Sequence, residues 1–337
     1  MTSSDDTGSS ARLEGVRVLV TGGAGFIGSN LVRRLISLGA YVLVVDCFSE
    51  GSGANTANLV DVTDNIRLIN ADIFDREAYA AALVGVGYVF HLAAQTGHID
   101  SIKNPLTDLS VNAMGTLSLL EAIRVACPNA YVVFASTRQV YGVPVKLPVA
   151  EDHPVHPPDV NAVGKVCAEE LLRVYQRVHG IRSVTLRLTN TYGPRMRIRD
   201  GRQMFLGLWI RGAIEGTKLR VFGDGKQRRD FVYVDDVVDA LLKATDVSLN
   251  GRIFNVGSDE SLALGVVANL MSKWGEGAPE VELVDFPLDR KVIDIGDFVG
   301  DYRAFRKATG WHAPTAFSDG MKRTIKYFMP RLTDYLE

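Results

Sequence analysis

The sequence predicts an α/β protein, a doubly wound parallel sheet carrying a smaller discontinuous α/β domain, and three observations lead there. Short β-branched runs alternate with helical stretches, several of those runs are apolar nearly throughout, and a glycine-rich turn joins the first run to the first helix. Strands covered by helices on both faces are apolar at successive positions, whereas half-exposed antiparallel strands alternate. Repeated strand–helix units in this order build a doubly wound sheet.

In chain order, residues 17–20, 41–45, 66–70, 88–92, 131–135 and 183–188 read as strands. Residues 27–38, 76–83, 106–125 and 163–179 fall between them and are long enough to be crossover helices. After Leu188 the rhythm changes to loops, NTYGPRMRIRDG and VFGDGKQRRD, with a further strand–helix unit over 231–244. The organisation read from this is a tail over 1–12, expected to be disordered, a sheet domain over 13–188 and 229–256, and a second domain over 189–228 and 257–330.

At 337 residues, 47% hydrophobic and 23% charged, the chain can bury a sizeable core and exceeds the commonest single-domain size. Its formal charge of −2, with no basic block beyond short clusters such as 226–229, argues against nucleic acid as a partner. The opening MTSSDDTGSS is polar and acidic, unlike a secretory signal. No apolar run approaches the ~20 residues of a membrane-spanning helix, so no membrane partner is expected. Cys47, Cys127 and Cys167 lie far apart without C-x-x-C spacing, which indicates neither a zinc site nor a disulfide framework. A reducing cytoplasm fits these features best.

Residues 17–28 read RVLVTGGAGFIG: a strand, then Gly23-x-Gly25-x-x-Gly28 with Gly22 adding an overlapping repeat, then the helix over 27–38, with Gly22, Gly25, Phe26, Ile27 and Gly28 expected against the cofactor. A tight turn, a backbone approach to pyrophosphate and close helix packing each exclude a Cβ, and the helix N-terminus offers free N–H groups to phosphates. This is the arrangement of a Rossmann-type dinucleotide site. The next strand ends in Asp46, whose carboxylate accepts hydrogen bonds from an adenosine ribose and repels a 2′-phosphate. NAD is therefore expected over NADP, unless Arg33 or Arg34 reaches the ribose.

Seven segments then fall in a recognisable order: TGGAGFIG at 21–28, AD at 71–72, FHLAA at 90–94, VNAMGT at 111–116, ASTRQVYG at 135–142, RLTNTYGP at 187–194 and RRDFVYVDD at 228–236. As a set they resemble the extended short-chain dehydrogenase/reductase family, in the branch acting on nucleotide-activated sugars. The resemblance implies that Asp72 and Ile73 border the adenine and that Leu92, Ala93 and Ala94 line the nicotinamide half of the cofactor. It also implies that Asn190 and Arg229 hold a substrate diphosphate, with Arg290 a second phosphate ligand, and that the segment containing Thr96, His98 and Asp100 meets the substrate. Guanidinium forks suit that task because they match phosphate oxygens bidentately. Dimerisation through 106–125 and 163–179 is implied by the resemblance alone.

The family's acid–base residue is a tyrosine four positions before a lysine, with a serine or threonine at the preceding strand end. Here Thr137 and Lys165 occupy two of those positions, and Asn161 stands in the tyrosine's place. An amide does not titrate in the working range, so Asn161 can orient a group but cannot be the general base. The replacement candidates rank as His98, then Lys165, then Asp100 and Tyr141; imidazole is the side chain that titrates near neutrality without help, and a buried ammonium loses its proton more readily. Family dehydratases carry an Asp-Glu pair directly after the threonine, where this chain has Arg138-Gln139. Neither shuttles protons. Arg138 is read either as stabilising an oxyanion or substrate carboxylate, or as pairing with Glu151 or Asp152.

The expectation is thus an NAD-dependent nucleotide-sugar epimerase, acting at C4 through a transient keto-sugar. The alternatives are a uronic acid decarboxylase or keto-sugar reductase, and a non-catalytic protein that binds NAD and a nucleotide.

Overall fold

The computed structural model describes residues 13–49 and 52–336, so the tail expected over 1–12 lies outside the described residues. The strands are β1 (Arg17–Thr21), β2 (Tyr41–Asp46), β3 (Ile66–Asn70), β4 (Val86–His91), β5 (Tyr131–Thr137), β6 (Arg182–Leu188), β7 (Asn190–Tyr192), β8 (Leu219–Phe222), β9 (Arg228–Tyr233), β10 (Ile253–Val256), β11 (Ser261–Ala263) and β12 (Val281–Val284). Seven of them form one sheet in the order β10-β6-β5-β4-β1-β2-β3, every pair parallel. The chain runs outward from β1 to β3, then returns to β4 on the other side of β1. That reversal opens a crevice at the carboxyl ends of the strands, where such sheets bind ligands.

Both faces of the central strands are buried, as their apolar runs require, while β3 at the edge of the sheet is largely exposed. Val18 and Val20 of β1 pack with Leu31, Leu35, Val237 and Leu241 on one side. Leu19, one residue out of phase, packs with Leu43, Leu119, Ile123 and Leu172 on the other. Burial of each such side chain contributes roughly 1.5–3 kcal/mol.

The helices differ from expectation at two informative places. The stretch 163–179 begins earlier, as Val160–His179, because Asp159 caps it by accepting from the Ala162 amide at 2.8 Å. The stretch 106–125 is a helix over Pro105–Leu109, a π-helical turn over Ser110–Met114 and a helix over Gly115–Ala126. A π turn shifts the side chains it carries around the axis, and such turns gather at functional sites. This one carries Asn112.

Beyond the large sheet, β9 pairs with β7 and β11 in a three-stranded sheet, and β8 pairs with β12. Tyr192, Trp209, Phe231, Phe317 and Met321 fill the core around them. The stretch 229–256, read with the sheet domain, is shared: β9 belongs to the small sheet, while the helix Val234–Lys243 packs against the helix Phe26–Ser37 and β10 joins the large sheet. β10 spans four residues, too few for a period to show. Among the described residues no helix is long and apolar enough to cross a membrane.

Candidate active site

A cavity of about 1300 Å³ opens between the carboxyl ends of β1, β2, β4 and β5 and the smaller sheets. Drug-sized ligands occupy roughly 300–1000 Å³, so there is room for two molecules. Gly22, Gly25, Phe26, Ile27, Gly28, Asp46, Asp72, Ile73, Leu92, Ala93 and Ala94 line one part of its wall; Thr96, His98, Thr137, Arg138, Asn161, Lys165, Asn190, Arg229 and Arg290 line the rest. Residues as far apart in sequence as Gly22 and Arg290 therefore face a single space.

The glycine turn has the shape its sequence demands. Gly22 sits at φ +71°, and a Cβ there would stand 2.7 Å from the Ala93 nitrogen; a Cβ at Gly28 would run into the Gly22 carbonyl oxygen. The helix Phe26–Ser37 starts at Gly25 without a side-chain cap and without an acidic residue in its first turn, which leaves its first amides to an anion. Asp46 closes the turn, accepting from the Ala24 amide at 2.9 Å and the Phe48 amide at 3.0 Å. Burial raises its pKa, and those amides oppose the rise. Arg33 pairs with Asp61 and Arg34 with Asp239, so both cations that would welcome a 2′-phosphate are held elsewhere. These residues fit NAD.

A buried lock fixes the neighbouring strand ends. His91 Nδ1 lies 2.8 Å from the Thr21 hydroxyl and Nε2 lies 3.0 Å from that of Thr116, while the Ala93 amide donates to Thr21 at 3.2 Å. Burial, and then the charge of Lys165, push the imidazole down to about 3, so it stays neutral. The backbone at Leu92–Ala94 is thereby tied to β1 and the helix carrying Thr116.

Around the substituted tyrosine the structure shows a polar network. Asn161 Nδ2 donates to the Gln95 carbonyl at 2.5 Å and to Asp108 Oδ2 at 3.1 Å. Asn112 Nδ2 donates to Asp108 Oδ1 at 2.9 Å and to the same Gln95 carbonyl at 3.0 Å. Burial raises the Asp108 pKa against these two amides. Lys165 Nζ donates to the Ala135 carbonyl at 3.0 Å and sits 4.8 Å above the Phe134 ring. Burial lowers it to about 8, with Asp108 and Glu169 pulling the other way. Thr137 accepts from the Gln139 amide at 3.1 Å.

The four candidate bases separate cleanly. Tyr141 is a correction: its side chain is buried against the Phe298 ring, its hydroxyl donates to Asn255 at 2.7 Å and burial raises its pKa, so it stands in the core and not on the cavity wall. Asp100 does not line the cavity; it faces Arg202 at 3.9 Å. His98 does line it, and its Nδ1 lies 2.8 Å from Asp159 Oδ2, with the imidazole 32% exposed and the carboxylate fully buried. The paired reading of Arg138 is also set aside, because among the described residues it forms no ion pair with Glu151 or Asp152, and Glu151 accepts from the Asn255 amide. Arg138 donates to Asn190 Oδ1 at 3.1 Å and lies over the Phe298 ring.

Asp108, Asn112, Gln95 and the pairing role of Asp159 were not singled out from the sequence. Asp108 carried no separate signal within an apparently regular helical pattern, and Asn112 figured only as part of the VNAMGT segment. Asp159 did carry one, being a capping residue type directly before a helix.

A glycine cradle at the switch point of a parallel sheet, facing a threonine and a lysine across one cavity, defines an NAD-dependent enzyme of Rossmann architecture. Residues 18–257 match the NAD dependent epimerase/dehydratase family, and the chain belongs to that family. It is similar to the UDP-glucose 4-epimerase of Mycolicibacterium smegmatis, with 33% identity covering 93% of this chain and 98% of that one. It is similar also to UDP-glucuronic acid decarboxylase 1 of Xenopus tropicalis, with 32% identity covering 94% of this chain and 73% of that one. Among solved structures, the UDP-glucose 4-epimerase of Thermus thermophilus in complex with NAD superposes with a TM-score of 0.82 at 31% identity, covering 94% of this chain and 100% of that one.

Proposed function

We propose that the protein is an NAD-dependent nucleotide-sugar epimerase acting at C4 through a transient keto-sugar, with His98 and Asp159 in place of the missing tyrosine. The observation that carries this reading is the His98–Asp159 hydrogen bond on the wall of the cavity that also holds Thr137 and Lys165. The similarity to UDP-glucose 4-epimerases supports the reaction type.

When bound, NAD supplies a reversible two-electron acceptor, so an epimerisation leaves it unchanged overall. The Phe26–Ser37 amides and Asp46 would hold its phosphates and ribose, and Lys165 its nicotinamide ribose. His98 takes and returns the proton of the sugar hydroxyl at Nε2, because Nδ1–H is committed to the Asp159 carboxylate. Asn161 gives both amide hydrogens to Gln95 and Asp108, which leaves Oδ1 to accept from a sugar hydroxyl. Thr137 orients the same hydroxyl. Arg229 and Arg290, with Asn190, take the nucleotide diphosphate. Residues 13–188 and the return through β10 form the cofactor domain, and the small sheets form the substrate domain. Exposed Ile102, Leu106, Leu109, Met114 and Val163, on or beside the helices expected to pair, suit a homodimer.

The test is to incubate the NAD-loaded protein with UDP-, GDP-, CDP- and dTDP-sugars and resolve the products. A C4 epimer supports the reading; carbon dioxide, a reduced sugar or unchanged substrate contradicts it.

A further inference from the structure

We infer that Arg138 is the receptor for a carboxylate on the sugar, and hence that the preferred substrate is a nucleotide-activated uronic acid. The inference rests on the nucleotide-sugar reading and adds a substrate class to it.

Arg138 is a cation without a counter-ion. Its Nη1 is out of contact with solvent and has no hydrogen-bond partner, and its Nη2 donates to the neutral Asn190 amide oxygen at 3.1 Å. The guanidinium lies over the Phe298 ring, 5.1 Å from its centroid. Its charged neighbours are Arg229, a like charge, and two acids, and each acid is engaged elsewhere. Asp230 accepts from the Thr189 hydroxyl at 2.5 Å and the Gly300 amide at 3.1 Å. Asp294 pairs with Arg229 at 3.3 Å and accepts from Gln227 at 2.7 Å. A buried guanidinium left in this state calls for an oxyanion from outside the chain.

Position decides which oxyanion. Arg138 follows Thr137 directly at the carboxyl end of β5, so it stands at the reacting end of the cavity. The diphosphate has its own cations in Arg229 and Arg290, the latter held over the Phe222 ring at 5.5 Å. Asn190 anchors the arginine, its Oδ1 receiving Arg138 while one Nδ2 hydrogen goes to the Asp230 carbonyl at 2.9 Å. The anion a sugar ring can present to Arg138 is a carboxylate, and a guanidinium fork takes both of its oxygens.

Titration calorimetry on the NAD-loaded protein tests this with matched pairs, a uronate and its neutral sugar, carried on UDP and on dTDP, with the free nucleotides as reference. The wild type is expected to favour one uronate over its neutral partner by about tenfold or more. Arg138→Met is expected to erase that preference and leave the neutral sugar and the nucleotide within about threefold; Arg138→Lys, which keeps the charge and loses the fork, is expected to retain part of it. Unchanged NAD affinity in both variants establishes that they are folded. The inference fails if the wild type shows no preference, or if Arg138→Met weakens uronate, neutral sugar and nucleotide alike, which would assign the arginine to the diphosphate. Absence of binding by every nucleotide-sugar would remove the nucleotide-sugar reading itself. Binding without turnover would leave the receptor standing and overturn only the epimerase.

Discussion

His98 and Asp159 are 61 positions apart in the chain, yet Nδ1 of one lies 2.8 Å from Oδ2 of the other. The second oxygen of the same carboxylate caps the helix that carries Asn161 and Lys165, through the Ala162 amide. Burial works to raise the Asp159 pKa, but the hydrogen bond and charge of His98 and the Ala162 amide outweigh it and hold the group below its ordinary value. An ionised, doubly anchored carboxylate sets the tautomer of His98 and leaves Nε2 to the ligand.

On the proposed role of His98, removing the imidazole removes the base. His98→Ala is expected to lower kcat by about 100-fold or more with little change in NAD affinity. Asp159→Asn keeps an N-cap oxygen but no longer fixes the charge or tautomer of His98, and a loss of at least about tenfold is expected. Steady-state kinetics on both variants check this, and a His98→Ala enzyme within about threefold of wild type would reject the role.

Asn161 belongs to the Asp108 network and does not merely fill a gap. A phenol at this position cannot supply the two hydrogens that Asn161 gives to Gln95 and Asp108, and a buried acceptor left unsatisfied costs about 1–3 kcal/mol. Asn161→Tyr is expected to lower Tm by several degrees and to reduce kcat about tenfold. A calorimetric scan and a rate measurement check the two parts; a variant that is both stable and faster would show the asparagine to be dispensable.

The lysine gives a pH signature. Lys165, brought down to about 8 by burial, is cationic below that pH and neutral above it. If its charge serves the site, kcat/KM is expected to fall as pH rises through about 8, and Lys165→Arg should move that limb well toward higher pH because guanidinium keeps its proton. Stability follows the opposite course. Between about 8 and the ordinary lysine value of 10.5 the unfolded chain binds the extra proton, so this group's contribution to cofactor-free stability rises with pH across that window. Denaturant titrations of wild type and Lys165→Met at successive pH values would detect it.

The proposed selector of the dinucleotide is Asp46, at the end of β2. Asp46→Asn is expected to weaken NAD about tenfold, since hydrogen bonds to a charged group contribute about 1.5–3 kcal/mol, and to narrow the gap to NADP. Fluorescence titration with both cofactors measures the two changes, and an unaltered preference would place selectivity elsewhere.

What the sequence made legible is what local physics determines. Six of the seven strands of the large sheet follow from a period and lie where expected, while the glycine turn, Asp46, Thr137 and Lys165 follow from a residue type at a fixed distance and line one cavity. The Asp108 network was hidden because a π turn at Ser110–Met114 moves Asn112 off the face a regular helix would give it. The His98–Asp159 pair joins two segments that only the folded sheet brings together. Tyr141 was misplaced for a similar reason: its partner Asn255 lies on β10, a strand too short to foresee.

The central claim is inversion at C4 by a chain whose base is a histidine. Proton magnetic resonance of the sugar ring, followed over time with NAD-loaded wild type and His98→Ala, tests it most directly. The expected result is interconversion of the two C4 epimers by the wild type, with no carbon dioxide released and no net consumption of cofactor, and near silence from the variant. A wild type that takes up no NAD, leaves C4 unchanged across the nucleotide-sugars tried, or releases carbon dioxide as its main product would contradict the account.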